Sequence, residues 1–475
     1  MSHRRRTTLT LTTLGVTAAL ALQASPAAAG PGGPGAGPGS RPCAGGDAVE
    51  VPGAEHSVTA CLDDLTTAGL LLHPAGQYTD AADWTGLHVP GTVNPTGVRG
   101  LQVDGYFPDT STSNTLHGWD HDSQFVLRIP DDWNGGLVVA GAPGTRKQYA
   151  SDFLVSDAVL AQGFAYASTD KGNNGVDFYR DGVAPGDAVA EWHERVTELA
   201  VAAKGALRRH LGQDPERTYV AGISNGGYLV RWQLENQAHL YDGGVDWEGT
   251  LFTPDGPNLF TYLPTAVRYT LGEADAEDMY AAGFAHGSEP LWDYHEQVYW
   301  GLTQKTYRAE FDPEYDPECP GPTAGTTLPA ILAPCPSDAD YDEWFADRDS
   351  QEVHDALARI SLTGEIRKPL LTLHGTLDTL LPISTDSDVY AEMIADQHRD
   401  RLHRYYRIEG GNHVDSLVPL DPLHLRPMLP CFRTVFDALT AWVEEGARPP
   451  ASTTVPRPTG VTATDPALLQ TCSLG

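Results

Sequence analysis

Residues 222–227 read Gly-Ile-Ser-Asn-Gly-Gly, a G-x-S-x-G pattern, and this stretch decides the fold prediction. The run Arg217-Thr218-Tyr219-Val220-Ala221 before it predicts a strand, and the run from Tyr228 to Leu234 after it has helical character. A serine on such a sharp strand-to-helix turn projects its hydroxyl above the sheet, and small neighbours are needed because the backbone is crowded there. The pattern therefore predicts that Ser224 is a nucleophile.

A nucleophilic serine needs a base and an acid, and two later segments supply them in order. Lys368 to Pro382 (KPLLTLHGTLDTLLP) predicts a buried strand and a loop that presents Asp378. Tyr405 to Asp415 (YYRIEGGNHVD) predicts a short strand and a glycine-rich turn that frees His413. Asp378 is preferred as the acid because it follows the strand end, with three competing aspartates: Asp386, Asp388 and Asp415. His374 is interpreted as a packed or supporting residue.

Strands and helices alternate on both sides of this turn. Strands are predicted at Phe125–Ile129, Leu137–Ala140 and Phe164–Ser168, with one more inside Tyr241–Thr250; helices are predicted around Ser151–Gln162, over Gly186–Leu211 and over Met428–Glu445. Such alternation predicts an α/β fold, with a mostly parallel sheet covered by helices on both faces.

The segments GISNGG, LHGTLDTLLP and GGNHVD resemble the α/β-hydrolase superfamily of serine esterases over roughly Phe125 to Gly446. The resemblance implies that Ser224 is the nucleophile and His413 the general base and then the general acid. It implies that Asp378 holds the imidazole in the required tautomer. Two backbone N–H groups should form the oxyanion hole, one from Asn225 and one from Ala142, because Pro143 in the early loop has no N–H.

A second, weaker similarity is to secreted esterases related to tannase, feruloyl esterase and hydroxybutyrate-oligomer hydrolase. It rests on EWHERV at Glu191–Val196, on the surroundings of Ser224 and on the GGNHVD turn. Tannase-type members carry cysteines where this chain has Ile223 and Val414, so tannin or ferulate specificity is not implied.

An insertion of about Pro254 to Ser361 separates the nucleophile helix from the strand before Asp378, and we expect it to form a lid. The insertion is rich in aromatic residues: Phe260, Tyr262, Tyr280, Phe284, Trp292, Tyr294, Tyr299, Trp300, Tyr307, Phe311, Tyr315, Tyr341, Trp344 and Phe345. They form the lid's own core in one interpretation, and in the other some of them line an apolar cleft for an aromatic or oligomeric ester.

The two ends of the chain differ from this catalytic region. Residues 1–29 have the basic, apolar and small-residue succession of a secretory signal, and residues 30–42 form a Gly/Pro spacer. Residues 43–124 are expected to pack on the core, and residues 447–475 to form a Pro/Thr-rich tail. Removal of the signal leaves 28 basic against 63 acidic residues, a net charge of −35. This acidity argues against nucleic acid and anionic membrane surfaces as partners.

The six cysteines predict three disulfides in an exported chain. Six thiols allow 15 pairings. Short loops favour the pairs Cys43–Cys61, Cys319–Cys335 and Cys431–Cys472.

Two segments are weak candidates for metal sites. His117 to Asp122 contains two histidines and two aspartates, and Asp312 to Glu318 alternates acidic residues beside Cys319. A polar loop and a solvated acidic loop are the commoner meanings, so no metal and no cofactor are predicted.

These observations together predict a secreted serine hydrolase, with an acyl-enzyme intermediate and carboxylic esters as substrates, acting as a monomer without a membrane span. The alternative is a secreted serine peptidase resembling the prolyl oligopeptidase group, because residues 374–382 also match its HG-x-x-D-x-x-x-P pattern. The roughly 80 residues from Cys43 to Asp122 are too few for the propeller of that group.

Overall fold

The structure is a computed structural model that describes residues 40–41, 48–315, 317, 351–462 and 465–475. The predicted signal, most of the predicted spacer, and the pair Cys319 and Cys335 lie outside the described residues. The same holds for Asp316, Glu318 and three aromatic residues of the insertion: Tyr341, Trp344 and Phe345.

The described chain contains one eleven-stranded sheet. Its strands are β1 (Ser40–Arg41), β2 (His56–Leu62), β3 (Gly100–Tyr106), β4 (Gln124–Pro130), β5 (Gly136–Gly141), β6 (Ala165–Thr169), β7 (Arg217–Ile223), β8 (Gly243–Trp247), β9 (Leu370–Gly375), β10 (His403–Ile408) and β11 (Thr453–Val455). They lie in the order β1-β2-β3-β4-β6-β5-β7-β8-β9-β10-β11.

The seven strands from β5 to β11 run parallel, and the first four pair in antiparallel fashion. The carboxyl ends of β5, β7, β8, β9 and β10 therefore lie along one edge of the sheet. This arrangement confirms the predicted α/β-hydrolase fold, with a mostly parallel sheet and helices on both faces.

Helices connect and cover the strands. They are α1 (Thr67–Leu70), α2 (Ala81–Trp84), α3 (Asp157–Ala161), α4 (Asp187–Leu211), α5 (Asn225–Asn236), α6 (Leu259–Leu271), α7 (Ala276–Ala281), α8 (Trp292–Val298), α9 (Trp300–Phe311), α10 (Gln351–Ile360), α11 (Ser387–Asp396), α12 (Leu429–Glu445) and α13 (Pro466–Leu469). No helix among the described residues is both long and apolar enough to cross a membrane.

The helix predicted around Ser151–Gln162 differs from expectation, because it begins as a wide π-helical turn over Asp152–Ser156 before α3. Asp152 is held there by the guanidinium of Arg128, at 2.6 and 2.8 Å, with both side chains fully buried. This buried ion pair is a tertiary constraint of a kind that helical periodicity does not report.

Two clusters of buried apolar side chains cover the two faces of the sheet. Along β5, Leu137 and Val139 belong to one cluster, and Val138 and Ala140 belong to the other. This alternation follows from the two-residue period of a strand. The first cluster also includes aromatic side chains of the insertion, so the helices of the insertion share a core with the sheet.

The tail is bound to the catalytic unit at two places. β11 extends the sheet by pairing with β10, and Cys472 is bonded to Cys431 of α12, which confirms that predicted disulfide. Cys61 is also disulfide-bonded, but its predicted partner Cys43 lies outside the described residues. The pairings Cys43–Cys61 and Cys319–Cys335 remain predictions.

Candidate active site

Ser224 occupies a strained turn between β7 and α5. Its backbone has φ 58° and ψ −126°, a conformation that non-glycine residues rarely adopt. The turn is fixed from both sides, because the N–H of Ser224 donates to the carbonyl of Trp247 at 3.0 Å and its carbonyl accepts from the N–H of Thr250 at 3.3 Å. Such strain is typical of functional turns.

The glycines of the turn are required by close backbone contacts. A Cβ added to Gly222 would lie 2.4 Å from the carbonyl oxygen of Gly226, and one added to Gly226 would lie 2.6 Å from the carbonyl oxygen of Gly141. The second contact also shows that the loop after β5 packs directly on the serine turn. A larger residue at either glycine would push these backbone segments apart.

The structure brings Ser224, His413 and Asp378 together in one chain of hydrogen bonds. Nε2 of His413 lies 3.0 Å from Oγ of Ser224, and Nδ1 of His413 lies 2.8 Å from Oδ2 of Asp378. Asp378 is fully buried and His413 is nearly so. With Nδ1 donating to the carboxylate, Nε2 can accept a proton from the serine hydroxyl.

Several groups stabilise the charged form of Asp378. Burial alone would raise its pKa, but the nearby His413 and the hydrogen bonds of His374 and His413 bring the pKa of Asp378 below its ordinary value. Oδ1 also accepts hydrogen bonds from the backbone N–H groups of Leu380 and Leu381, at 2.8 and 2.9 Å. Asp378 is therefore held as an anion facing His413.

His374 supports this carboxylate from the other side. Its Nε2 lies 3.2 Å from Oδ2 of Asp378 and 2.9 Å from the carbonyl of Leu381, and its Nδ1 lies 2.7 Å from the hydroxyl of Ser387. Burial would lower the pKa of His374, but its hydrogen bond and charge interaction with Asp378 raise it above the ordinary value.

The three competing aspartates have other partners. Asp386 binds Arg231 at 2.9 Å, and Asp388 binds Arg407 at 2.8 Å. Asp415 accepts from the N–H groups of Met428 and Leu429, at 2.6 and 2.9 Å. The hydrogen bonds of these three side chains thus stabilise elements around the site rather than orient His413.

The two proposed oxyanion donors lie on adjoining segments. Asn225 follows Ser224, and Ala142 begins the loop that contacts Gly226. The side-chain amide of Asn225 donates to the carbonyl of Gly144 at 3.1 Å and its oxygen accepts from Thr250 at 2.9 Å. These bonds tie the early loop to the serine turn, although Asn225 was predicted only for its backbone.

Helix α9 of the lid contacts the catalytic loops at two points. The indole N–H of Trp300 donates to the carbonyl of Thr379 at 2.9 Å, and the hydroxyl of Tyr307 accepts from the amide of Asn225 at 2.5 Å. Gln304 lies between these two contacts, one turn from each, so the same face of the helix carries all three residues. This face lies over the site.

Two buried lid side chains have polar atoms without a hydrogen-bond partner within the described part of the chain: both amide atoms of Gln304 and both ring nitrogens of His295. Burial lowers the pKa of His295 to about 3. Two smaller effects act in opposite directions, since the charge of Asp378 raises this pKa and His413 lowers it. Buried polar groups are normally paired, so these neutral atoms are candidates for contact with a substrate. No sequence motif indicated them.

Glu248 is another buried group that the sequence analysis missed. It follows the last residue of β8, and its Oε1 lies 3.9 Å from Nδ1 of His413. Among the described residues, one group of side chains has atoms that could coordinate a metal ion and lie within 4.8 Å of one another. It consists of Glu248, Asp378 and His413. The hydrogen bond between His413 and Asp378 already satisfies two members of this cluster.

The weak metal candidates have protein partners in the structure. His117 lies 2.9 Å from the hydroxyl of Tyr149, and the carboxylate of Asp122 accepts from Ser113 and Asn114. Asp312 accepts from the N–H of Glu314 at 3.0 Å. These contacts agree with the interpretation as polar loops.

Comparison with known families gives two matches in the sequence. Residues 111–243 match the family model described as tannase and feruloyl esterase, and residues 341–473 match the model described as 3HB-oligomer hydrolase. The first range contains Ser224, and the second contains Asp378 and His413. The chain has an α/β-hydrolase fold and is similar in sequence to tannases and feruloyl esterases.

Individual relatives of this α/β-hydrolase are distant. Mono(2-hydroxyethyl) terephthalate hydrolase of Piscinibacter sakaiensis is 26% identical over 144 residues, a match that spans 27% of the chain and only 24% of that protein. Feruloyl esterase B from Aspergillus oryzae is 15% identical with a TM-score of 0.46, covering 84% of this chain and 89% of that one. Tannin acyl hydrolase from Aspergillus niger is 15% identical with a TM-score of 0.45, covering 76% and 82%.

Proposed function

We propose that the protein is an exported serine esterase that hydrolyses carboxylic esters through an acyl-enzyme on Ser224. The observation that carries the proposal is the hydrogen-bond chain from Ser224 through His413 to Asp378. All three residues follow carboxyl ends of parallel strands, and the strained turn presents the serine. The family matches support an ester as the substrate.

The proposed reaction follows from this geometry. Nε2 of His413 accepts the proton of Ser224 as Oγ attacks the ester carbonyl, and the imidazolium that forms is stabilised by Asp378. The N–H groups of Asn225 and Ala142 stabilise the negative oxygen of the tetrahedral intermediate. Cleavage of the C–O bond releases the alcohol, which takes the proton from His413.

The second half of the reaction hydrolyses the acyl-enzyme. A water molecule donates a proton to His413 and attacks the acyl carbonyl, and the intermediate collapses to release the acid and return the proton to Ser224. Apart from the ester and water, every group that these reaction steps require belongs to the chain, so the proposed reaction needs no cofactor.

The lid supports an uncharged aromatic or oligomeric ester as the substrate. Aromatic side chains such as Trp300 and Tyr307 border the catalytic loops, and the unpaired atoms of His295 and Gln304 are neutral. The matched family acts on an oligomer, and the curated relative acts on a terephthalate ester. The excess of acidic residues disfavours a strongly anionic substrate.

A substrate panel tests the proposal. Purified protein is incubated with p-nitrophenyl acetate, aromatic methyl esters, 3-hydroxybutyrate oligomers and aminoacyl or prolyl amides, and products are identified by mass. We expect ester cleavage and little or no amide cleavage. Amide cleavage without ester cleavage would instead support the peptidase alternative.

Export is supported by the apolar leader and by disulfide bonding at Cys431 and Cys472. The test is expression of the full chain followed by sequencing of the N terminus of secreted protein. We expect cleavage after Ala29, and a chain retained in cells with an intact leader would contradict export.

A further inference from the structure

Glu248 lies at a position from which it can replace Asp378. It directly follows β8, whereas Asp378 follows the neighbouring strand β9, so the two carboxyl groups come from adjacent strand ends. Glu248 is fully buried, and its backbone N–H donates to the carbonyl of Leu373 at 2.8 Å. Its side chain is therefore held beside the site by the sheet itself.

The two carboxyl groups face the same nitrogen of His413. Oδ2 of Asp378 lies 2.8 Å from Nδ1, within hydrogen-bond distance, whereas Oε1 of Glu248 lies 3.9 Å from it. This Oε1 has no hydrogen-bond partner among the residues described. The other oxygen of Glu248 accepts a 3.3 Å bond from the N–H of Gly375.

Two buried carboxyl groups so close together do not both ionise readily. Asp378 accepts two short backbone N–H bonds and contacts two histidines, while Glu248 has one long backbone contact. Burial, followed by the charge of Asp378, raises the pKa of Glu248 well above its ordinary value. The charge of Asp415 raises this pKa further. Asp378 therefore carries the negative charge and Glu248 keeps its proton.

We propose that Glu248 is a second positioning residue for His413, which shares one negative charge with Asp378 and takes over that charge when Asp378 is neutral or absent. The inference rests on the proposed function, since it requires His413 to act as the base. A movement of about 1 Å would bring Oε1 from 3.9 Å to hydrogen-bond distance of Nδ1.

A double-mutant cycle with p-nitrophenyl acetate tests this role. In a serine hydrolase without a second acid, loss of the aspartate lowers kcat about 10⁴-fold. We expect Asp378→Ala to lose only about 10²-fold, because Glu248 can then ionise and hold His413. Glu248→Gln alone should lower kcat about threefold. In the Asp378→Ala background the same substitution should lower kcat by about a further 100-fold.

Two readouts separate this role from a structural one. Asp378→Asn should be more damaging than Asp378→Ala, because the amide group can hold His413 in the wrong tautomer. In the plot of kcat/KM against pH, the acid limb of Asp378→Ala should lie at higher pH than that of the wild type. The reason is that Glu248 must lose its proton before it can hold His413. A packing defect would produce neither pattern.

Glu235→Gln is the matched control. Glu235 is also buried, and burial raises its pKa, but its carboxylate binds Thr363, Gly364 and Tyr390 away from His413. It should have the same effect in both backgrounds. If Glu248→Gln has the same effect on kcat in both backgrounds, the inference is wrong. The proposed function still stands in that case, provided that the wild type is active and Ser224→Ala is inactive. An inactive wild type would instead count against the proposed function.

Discussion

The side-chain amide of Asn225 donates a 2.5 Å hydrogen bond to the hydroxyl of Tyr307, and this bond joins the residue after Ser224 to helix α9. The same amide donates to the carbonyl of Gly144 in the early loop. One side chain thus connects the serine turn, the loop that carries Ala142, and helix α9. The position of the lid and the geometry of the proposed oxyanion hole are therefore linked.

Tyr307→Phe removes this bond but keeps the aromatic ring, whose centroid lies 5.3 Å from the ring centroid of Phe178. We expect stability to fall by about 1 kcal/mol and kcat/KM to fall about tenfold, because one buried hydrogen bond is lost and the amide of Asn225 is released. Ester kinetics and urea unfolding check both values. Asn225→Ala added to Tyr307→Phe should cost less than the sum of the two single effects; full additivity would show that the two side chains act independently.

Gln304→Leu tests whether the lid contacts a polar group of the substrate. Removal of two unpaired buried atoms should raise stability by about 1 kcal/mol. For esters with a hydroxyl or amide group on the acyl part, KM should rise about tenfold, whereas unsubstituted esters should keep their KM. The same rise for both kinds of ester would indicate a general change in the lid.

The fold was predicted from sequence because its signals are local. The G-x-S-x-G turn and the glycine-rich turn before His413 each occupy only a few residues, and each strand-helix-strand unit needs about thirty residues or somewhat more. His413 and Asp378 were found by their order in the chain after Ser224. The structure joins Ser224, His413 and Asp378 by hydrogen bonds.

Glu248, His295 and Gln304 could not be found in this way. Glu248 is one acid among 63 Asp and Glu residues, and only the pairing of β8 with β9 brings it near His413. Gln304 differs from other glutamines only by its burial without a partner among the described residues. These properties depend on contacts between distant segments, and a single sequence does not carry them.

The Cys431–Cys472 disulfide closes a segment with a sequence separation of 41 residues. Replacing both cysteines with serine should lower stability by about 4 kcal/mol, mainly because the unfolded chain gains conformational freedom. Thermal unfolding of the double variant checks this value, and limited proteolysis should show earlier cleavage within residues 447–475. Unchanged unfolding and unchanged cleavage would mean that β11 and α13 hold the tail without the disulfide.

Asp157 should make stability depend on pH. It is buried and accepts from the N–H and hydroxyl of Thr67, at 2.9 and 2.5 Å. Burial is the main cause that raises its pKa from 3.8 to about 7. Folding therefore favours the protonated form, so its contribution to stability is complete below pH 3.8 and is lost as pH rises to about 7.

Asp157→Asn removes this titration, so the stability of wild type relative to the variant should fall by on the order of 4 kcal/mol from pH 4 to pH 8. Urea unfolding at several pH values measures this difference in the free energy of unfolding. The control is the variant Asp132→Asn, because Asp132 is exposed. A difference that rises with pH would contradict the assignment of a protonated Asp157.

The central claim is that Ser224 forms the acyl-enzyme, and its most direct test is the kcat of Ser224→Ala on p-nitrophenyl acetate beside the wild type. Both proteins should have the same circular dichroism spectrum and melting temperature within error. We expect kcat to fall by about 10⁶-fold, the loss seen when a serine hydrolase loses its nucleophile. A folded Ser224→Ala variant that retains wild-type activity would contradict the account.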